Sequence, residues 1–114
     1  MSQFCFLKGK LMSITMHITI TTKEGCFDDF YDLAKEELAF TRGSKGCISI
    51  QTSSSRDTNT FKFAEVWDSE GDFNTYFAKR VERSGEDFAR LLVGPPEKEC
   101  FQTDDWGYGE GWQK

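Results

Sequence analysis

Residues 12–20 read Met-Ser-Ile-Thr-Met-His-Ile-Thr-Ile, and the fold prediction starts from this segment. Every second residue from Met12 to Ile20 is Met or Ile, while Ser, Thr and His17 occupy the positions between them. A period of two with β-branched residues is typical of a β-strand that has one apolar and one polar face. One face is expected to pack under helices and the other to meet a partner, and the strand alone does not say which.

The residues after this strand predict three further strands, two helices and an additional helical turn. Lys23-Glu24-Gly25 ends the strand, and apolar residues then recur at steps of three and four, which predicts an amphipathic helix. The predicted segments are a helix at Cys26–Phe40 closed by Arg42-Gly43, a strand at Cys47–Thr52, a hairpin loop at Ser53–Thr60, a strand at Phe61–Trp67, a helix at Glu70–Val81 capped by Asp68-Ser69, a further helical turn from Ser84 to Leu92 with Asp87 completing its capping box, and a strand within Glu97–Thr103.

The order β-α-β-β-α-β predicts an α+β, ferredoxin-like fold, in which an antiparallel four-stranded sheet carries two helices on one face. The other face of such a sheet needs a cover, and the same face of a second copy supplies one, so we expect a homodimer. We expect one domain at residues 13–103, an N-terminal extension at 1–12, and a tail at 104–114 that contains Trp106, Tyr108 and Trp112 between glycines.

Composition excludes several classes of function. The net charge of −5 disfavours nucleic acid and anionic membranes as partners. Four cysteines at gaps of 20 or more residues and a single histidine do not form a zinc motif. Because no secretory signal or long apolar run is present, we expect a cytoplasmic protein with reduced thiols. Eleven Phe residues favour a large aromatic core or a pocket for a flat ligand.

Four ordered segments resemble the antibiotic biosynthesis monooxygenase family. They are Lys23-Glu24-Gly25 after the first strand, Thr41–Cys47 before the second, Phe63-Ala64-Glu65-Val66-Trp67 with the family's Glu-x-Trp on the third, and Leu91–Pro96 before the last. The resemblance covers residues 13–101. It implies a dimeric α/β barrel, and it implies the reaction only loosely, since relatives include quinol monooxygenases, haem-degrading oxygenases and an isomerase. Many members carry a histidine nine residues after the motif Trp, where this chain has Tyr76, which disfavours haem breakdown.

Each candidate site residue has a functional and a structural interpretation. Trp67 is either a pocket wall or a core residue, and Glu65 is either a general base or the partner of Arg42, Arg80 or Arg83 in an ion pair. His17 is either a reactive group beside the pocket or a histidine at the surface or dimer interface. Tyr76 either donates to a developing phenolate or points its hydroxyl into water. The other predicted substrate-binding residues are Phe63, Phe73, Phe77 and Arg42.

The resemblance implies a cofactor-independent monooxygenase that oxidises an aromatic polyketide-like or quinol substrate with dioxygen. In this hypothesis His17, Glu65 and Tyr76 are catalytic, and neither metal nor cofactor takes part. The alternatives are a haem-degrading or isomerase relative on the same fold, and a non-catalytic dimeric ligand-binding module. A cavity filled by Phe side chains would favour the last of these.

Overall fold

The computed structural model describes residues 13–104, and six elements follow one another in the predicted order. They are β1 (Ile14–Thr21), α1 (Phe27–Arg42), β2 (Cys47–Ser55), β3 (Thr60–Trp67), α2 (Glu70–Leu91) and β4 (Glu97–Gln102). The predicted N-terminal extension, and the predicted tail apart from Asp104, lie outside the described residues.

The four strands form one antiparallel sheet in the order β2-β3-β1-β4. β1 is central, because it pairs along its length with β3 on one side and with β4 on the other. β2 pairs with the far side of β3, so β1 and β2 run parallel with β3 between them. This is the split βαβ arrangement, and the predicted ferredoxin-like α+β fold is confirmed.

The apolar face of β1 packs beneath the helices. Met16, Ile18 and Ile20 are 3–5% exposed and belong to the core, whereas His17 on the opposite face is exposed. The alternative that the β1 sequence left open is thereby resolved, since its Thr and His residues form the face opposite to α1 and α2. We call that side of the sheet the outer face.

A single long helix, α2, replaces the two shorter segments predicted from sequence. The side chain of Ser69 caps its start by accepting from the Asp72 N–H at 3.1 Å, as predicted. The prediction of a new start at Ser84 is wrong. Ser84 is 2% exposed and its hydroxyl accepts a hydrogen bond from Arg80, four residues earlier on the same face, so the residue sits inside a helix that continues to Leu91.

The hairpin between β2 and β3 is tighter than predicted. β2 continues through Ser55, and only residues 56–59 separate it from β3. Asn59 closes the turn with φ at 54°, a conformation that Asn adopts more readily than most residues. The polar composition of 53–60 reflects exposure of β2 at the edge of the sheet as well as the turn itself.

Aromatic side chains dominate the core between sheet and helices. Trp67 is 0% exposed, and the rings of Phe27 and Phe30 pack on Phe61 with centroids 4.6 and 4.9 Å apart. Within residues 13–104 the three cysteines are free thiols, and neither helix is long and apolar enough to cross a membrane.

Candidate active site

A cavity of about 220 Å³ lies between the helices and the inner face of the sheet. The sheet contributes its floor, and both helices contribute its walls. The residues that line it are Ile18, Ile20, Phe30, Tyr31, Ala34, Lys35, Leu38, Thr41, Ile50, Thr52, Ser53, Ser54, Phe61, Phe63, Glu65, Phe73, Tyr76, Phe77 and Arg80. Phe side chains build much of its wall, but they do not fill it.

Glu65 places a buried carboxyl group in this mostly aromatic lining. It lies on the inner face of β3 and is 5% exposed. Trp67, two residues later on the same face, donates from Nε1 to Oε1 of Glu65 at 2.9 Å. Burial raises the pKa of Glu65, and the Trp67 hydrogen bond and the charge of Arg80 oppose that rise only in part. The carboxyl group is therefore a stronger base than a glutamate in water.

Tyr76 lies beside Glu65 and brings a phenol to the same wall. It is 7% exposed, and its hydroxyl is 2.8 Å from Oγ1 of Thr41 on α1. Its ring is 5.0 Å from the ring of Trp67, centroid to centroid. The pKa of Tyr76 is raised, above all by burial and further by the charge of Glu65, so the phenol keeps its proton at neutral pH. The hydroxyl of Tyr76 is therefore buried and does not point into water, contrary to the structural interpretation of this residue.

Arg80 completes this polar group, although the sequence pattern predicted it only as an ion-pair partner of Glu65. It is 7% exposed, donates to Ser84, and lies 3.9 Å from Oε1 of Glu37 on α1. Glu37 is itself held by Arg83 through two hydrogen bonds of 2.9 and 3.1 Å. These contacts, above all the Arg83 hydrogen bond, lower the pKa of Glu37 and keep its charge.

The predicted aromatic residues divide into cavity wall and support. Phe63, Phe73 and Phe77 all line the cavity, and Phe73 stacks on Phe77 with centroids 5.6 Å apart and an interplanar angle of 18°. Trp67 does not line the cavity. It lies behind Tyr76 and Phe73 and acts on the site through its hydrogen bond to Glu65.

The structure does not bring His17 or Arg42 to the cavity. His17 is exposed on the outer face, opposite Ala64 and Glu99 in the neighbouring strands, and its ring contacts Phe101 at 5.6 Å. Arg42 is exposed in the last turn of α1. Strand alternation explains the first placement, because His17 and Glu65 occupy opposite faces of one sheet.

Arg80, Thr41 and Lys35 line the cavity, although the sequence pattern does not identify them as cavity residues. Helical spacing could have identified Arg80, because Arg80 follows Tyr76 by four residues and therefore lies on the same face of the helix. Thr41 and Lys35 depend on how α1 lies over the sheet, which periodicity does not give.

The donor set of this cavity suits an organic ligand better than a metal ion. Within residues 13–104 no three His, Cys, Asp or Glu side chains cluster closely enough to hold a metal. The cavity offers one carboxyl group, two phenols, one guanidinium and one ammonium group among aromatic rings. Such a set can accept a proton, donate a hydrogen bond and stabilise an anion.

Comparison with known proteins agrees with this fold. The family model described as antibiotic biosynthesis monooxygenase matches residues 13–81. No curated protein shows significant sequence similarity to the chain.

Several solved structures share the fold. A conserved protein from Methanosarcina mazei Go1 matches with a TM-score of 0.71 at 15% identity, over 86% of this chain and 99% of its own. A protein from Pseudomonas aeruginosa matches with a TM-score of 0.72 at 18% identity, over 82% and 96%. SnoaB, a cofactor-independent oxygenase from Streptomyces nogalater, matches with a TM-score of 0.67 at 18% identity, over 82% and 94%. At these identities the likeness concerns the fold alone.

Proposed function

The chain belongs to the antibiotic biosynthesis monooxygenase family, and from this membership we propose that it oxidises a phenolic or quinol ring with dioxygen, without a cofactor. One observation carries the proposal. A buried carboxyl group, held by the indole N–H of Trp67, faces an aromatic cavity beside Tyr76 and Arg80. The cofactor-independent oxygenase of the same fold supports it as an analogy.

Glu65 is the general base in this proposal. Its raised pKa brings its basicity closer to that of a phenol than an ordinary glutamate's would be. Trp67 engages Oε1, and among residues 13–104 no hydrogen bond occupies Oε2, which is the oxygen available to a substrate hydroxyl. The aromatic walls exclude water, so a proton taken from the ring hydroxyl stays on Glu65.

Tyr76 and Arg80 stabilise the resulting anion. The Tyr76 hydroxyl, now shared with Thr41, donates to the phenolate oxygen, and the guanidinium of Arg80 offsets the negative charge. Both groups are fixed before the substrate enters, because Thr41, Ser84 and Glu37 hold them. His17 and Arg42 have no role in this proposal, since each lies away from the cavity.

The reaction balances with substrate and dioxygen alone. The deprotonated ring passes one electron to dioxygen, and the two radicals combine to form a bond from carbon to oxygen. Cleavage of the O–O bond then leaves one oxygen atom on the ring carbon as a carbonyl. The other oxygen departs as water with two hydrogens, which are the hydroxyl proton held by Glu65 and the hydrogen that this ring carbon loses, so the substrate supplies both electrons.

The haem-degrading alternative receives less support from the residues. The only histidine of the chain is on the outer face, away from the cavity. Iron ligation by Tyr76 would require its hydroxyl to leave Thr41 and to lose a proton that burial makes harder to remove. We propose instead that the cavity receives an organic ring.

Oxygen uptake in the presence of naphthohydroquinones and anthrones tests the function. We expect enzyme-dependent uptake, and we expect Glu65→Gln to lower kcat by about 10²- to 10⁴-fold, since that is the usual contribution of a general base. Gln still offers an oxygen to Trp67, so the fold is retained. Glu82→Gln, an exposed carboxylate on α2, is the matched control and leaves the rate unchanged.

The pH profile separates a base from a binding group. Activity is expected to fall as the pH drops below the raised pKa of Glu65, and the remaining activity of Glu65→Gln lacks this acidic limb. An unchanged rate in that variant would remove Glu65 from the mechanism. No uptake with any ring in the panel would remove the oxygenase proposal itself.

A further inference from the structure

The cavity has two ends of different chemistry. Its opening lies between α1 and β2, because the exposed members of its lining come from these two elements: Tyr31 and Lys35 on one side, and residues 52–54 on the other. Its closed end holds the buried carboxyl, phenol and guanidinium described above. A ligand that fills the cavity therefore contacts one cluster of polar side chains at the closed end, aromatic walls in the middle, and a second cluster of polar side chains at the opening.

Charge is distributed unusually around this cavity. The whole chain has a net charge of −5, yet Glu65 is the only acidic side chain among the lining residues, beside Lys35 and Arg80. The charge of Arg80 is partly offset by Glu37 at 3.9 Å. Within residues 13–104, Lys35 forms no ion pair, so the opening presents an uncompensated cation. Positive charge at the opening of a low-dielectric cleft attracts anions.

Hydroxyl groups face Lys35 across the opening. Thr52 and Ser54 are two residues apart on β2, pair with the inward-facing Phe63 and Phe61, and so turn their side chains to the same side of the sheet. An ammonium group together with two hydroxyl donors suits a carboxylate, which accepts hydrogen bonds at both oxygens.

The cavity volume limits the size of the ring system. A protein cavity of roughly 150 Å³ holds benzene, and pockets for drug-sized ligands begin at roughly 300 Å³. At about 220 Å³ this cavity is suited to one or two fused rings and is too small to enclose a four-ring skeleton.

We infer that the ligand is a hydroxylated aromatic carboxylate of one or two rings, with its hydroxyl at Glu65 and Tyr76 and its carboxylate at Lys35, Thr52 and Ser54. The inference rests on the proposed function, because deprotonation by Glu65 fixes which end of the ligand enters first. The reverse orientation would place two carboxyl groups together in the buried end. Lys35 is thus a specificity residue at the entrance to the site.

Binding in oxygen-free buffer tests this inference apart from turnover. The probes are hydroxynaphthoate, with hydroxyl and carboxylate on opposite rings, and naphthol, the same ring system without the carboxylate. Wild type is expected to bind hydroxynaphthoate about tenfold more tightly, which corresponds to about 1.4 kcal/mol. The preference should shrink as salt is added, since the opening is exposed to solvent.

Variants at the opening assign the preference to Lys35. Lys35→Gln should abolish the tighter binding of hydroxynaphthoate while the affinity for naphthol stays unchanged. Lys35→Arg should preserve the tighter binding, because it keeps the positive charge. Lys79→Gln makes the same charge change at an exposed lysine of α2 outside this cavity and should leave the preference intact.

Two results would overturn the inference. Equal affinities for the two probes in wild type, or a preference that survives in Lys35→Gln, would contradict a carboxylate at the opening. If oxygen uptake with a naphthohydroquinone persists in either case, the proposed function stands and the substrate class alone is wrong. If neither probe binds and no ring supports uptake, the failure lies with the proposed function.

Discussion

Glu65 and Trp67 show how two residues of one motif divide a task. Their spacing of two on β3 puts both on the inner face, which the sequence pattern predicts directly. The pattern does not predict that the indole turns away from the cavity and donates its N–H to the carboxyl group. An unpartnered carboxylate at this depth would be costly, so Trp67 makes the burial of Glu65 tolerable and fixes its orientation.

The raised pKa of Glu65 predicts a measurable cost in stability. The folded state holds this proton more tightly than the unfolded state, so folding stability falls as the pH rises above the ordinary glutamate pKa of 4.5. The Glu65→Gln variant does not lose stability in this way, because Gln has no proton to release in this pH range. Its Tm should equal that of wild type below pH 4.5, exceed it increasingly as the pH rises toward the raised pKa of Glu65 in the folded state, and differ by a constant amount above that pKa.

Thermal denaturation across this pH range gives the measurement, with Glu82→Gln as a control whose Tm follows wild type. A Tm difference between Glu65→Gln and wild type that stays constant with pH would mean that burial does not raise the pKa of Glu65.

At the scale of elements, α2 builds most of the site. Tyr76, Arg80, Ser84 and Phe88 recur every four residues on its inner side, and Arg80 lies over the ring of Phe88 at 5.2 Å. The sequence reveals the aromatic members of this stripe. It does not reveal that Arg80 belongs to the stripe, because a charged residue is ordinarily exposed and only its partners, Glu37 on α1 and Ser84 on α2, make its burial tolerable.

Continuity of α2 is tested by removing its internal glycine. Gly85 lies within the helix, and an added Cβ would meet Val81 Cγ1 at 3.7 Å, an ordinary contact. Gly85→Ala should therefore raise the free energy of unfolding by about 0.5–1 kcal/mol, because Ala loses less entropy in a helix. Chemical denaturation with an unchanged m-value measures the gain.

The matched control is Gly46→Ala, before β2. Gly46 has φ at 87°, and a Cβ there would overlap the side chain of Asp72. This variant should lose about 1 kcal/mol or more. No gain from Gly85→Ala would indicate a break in the helix near Ser84, as the sequence pattern had suggested.

At the scale of the whole molecule, the cavity and the outer face arise from the topology. Strand alternation predicts the two faces of β1, yet which of them the helices cover, and whether the aromatic side chains leave a space between the layers, depend on how sheet and helices pack. The cavity residues from α1 were missed for that reason. The outer face carries polar residues around Val66 and Phe101, and Phe101 is 51% exposed.

We propose that a second copy of the chain covers the outer face, as in dimers of this family. Burying an exposed Phe contributes roughly 1.5–3 kcal/mol, so Phe101 and its copy are suited to anchor the contact. Wild type should sediment as a dimer at micromolar concentration, and its Tm should rise with protein concentration. Phe101→Asp should sediment as a monomer, because it would bury an unpaired charge in the interface.

Val93→Asp is the control, since Val93 is 64% exposed in the loop between α2 and β4 and does not belong to the outer face. This variant should remain dimeric. A wild type that stays monomeric, or two variants that dissociate equally, would show that the outer face is not the interface. Because the cavity of each copy lies on the inner side of its own sheet, a monomeric Phe101→Asp should still bind naphthol with wild-type affinity.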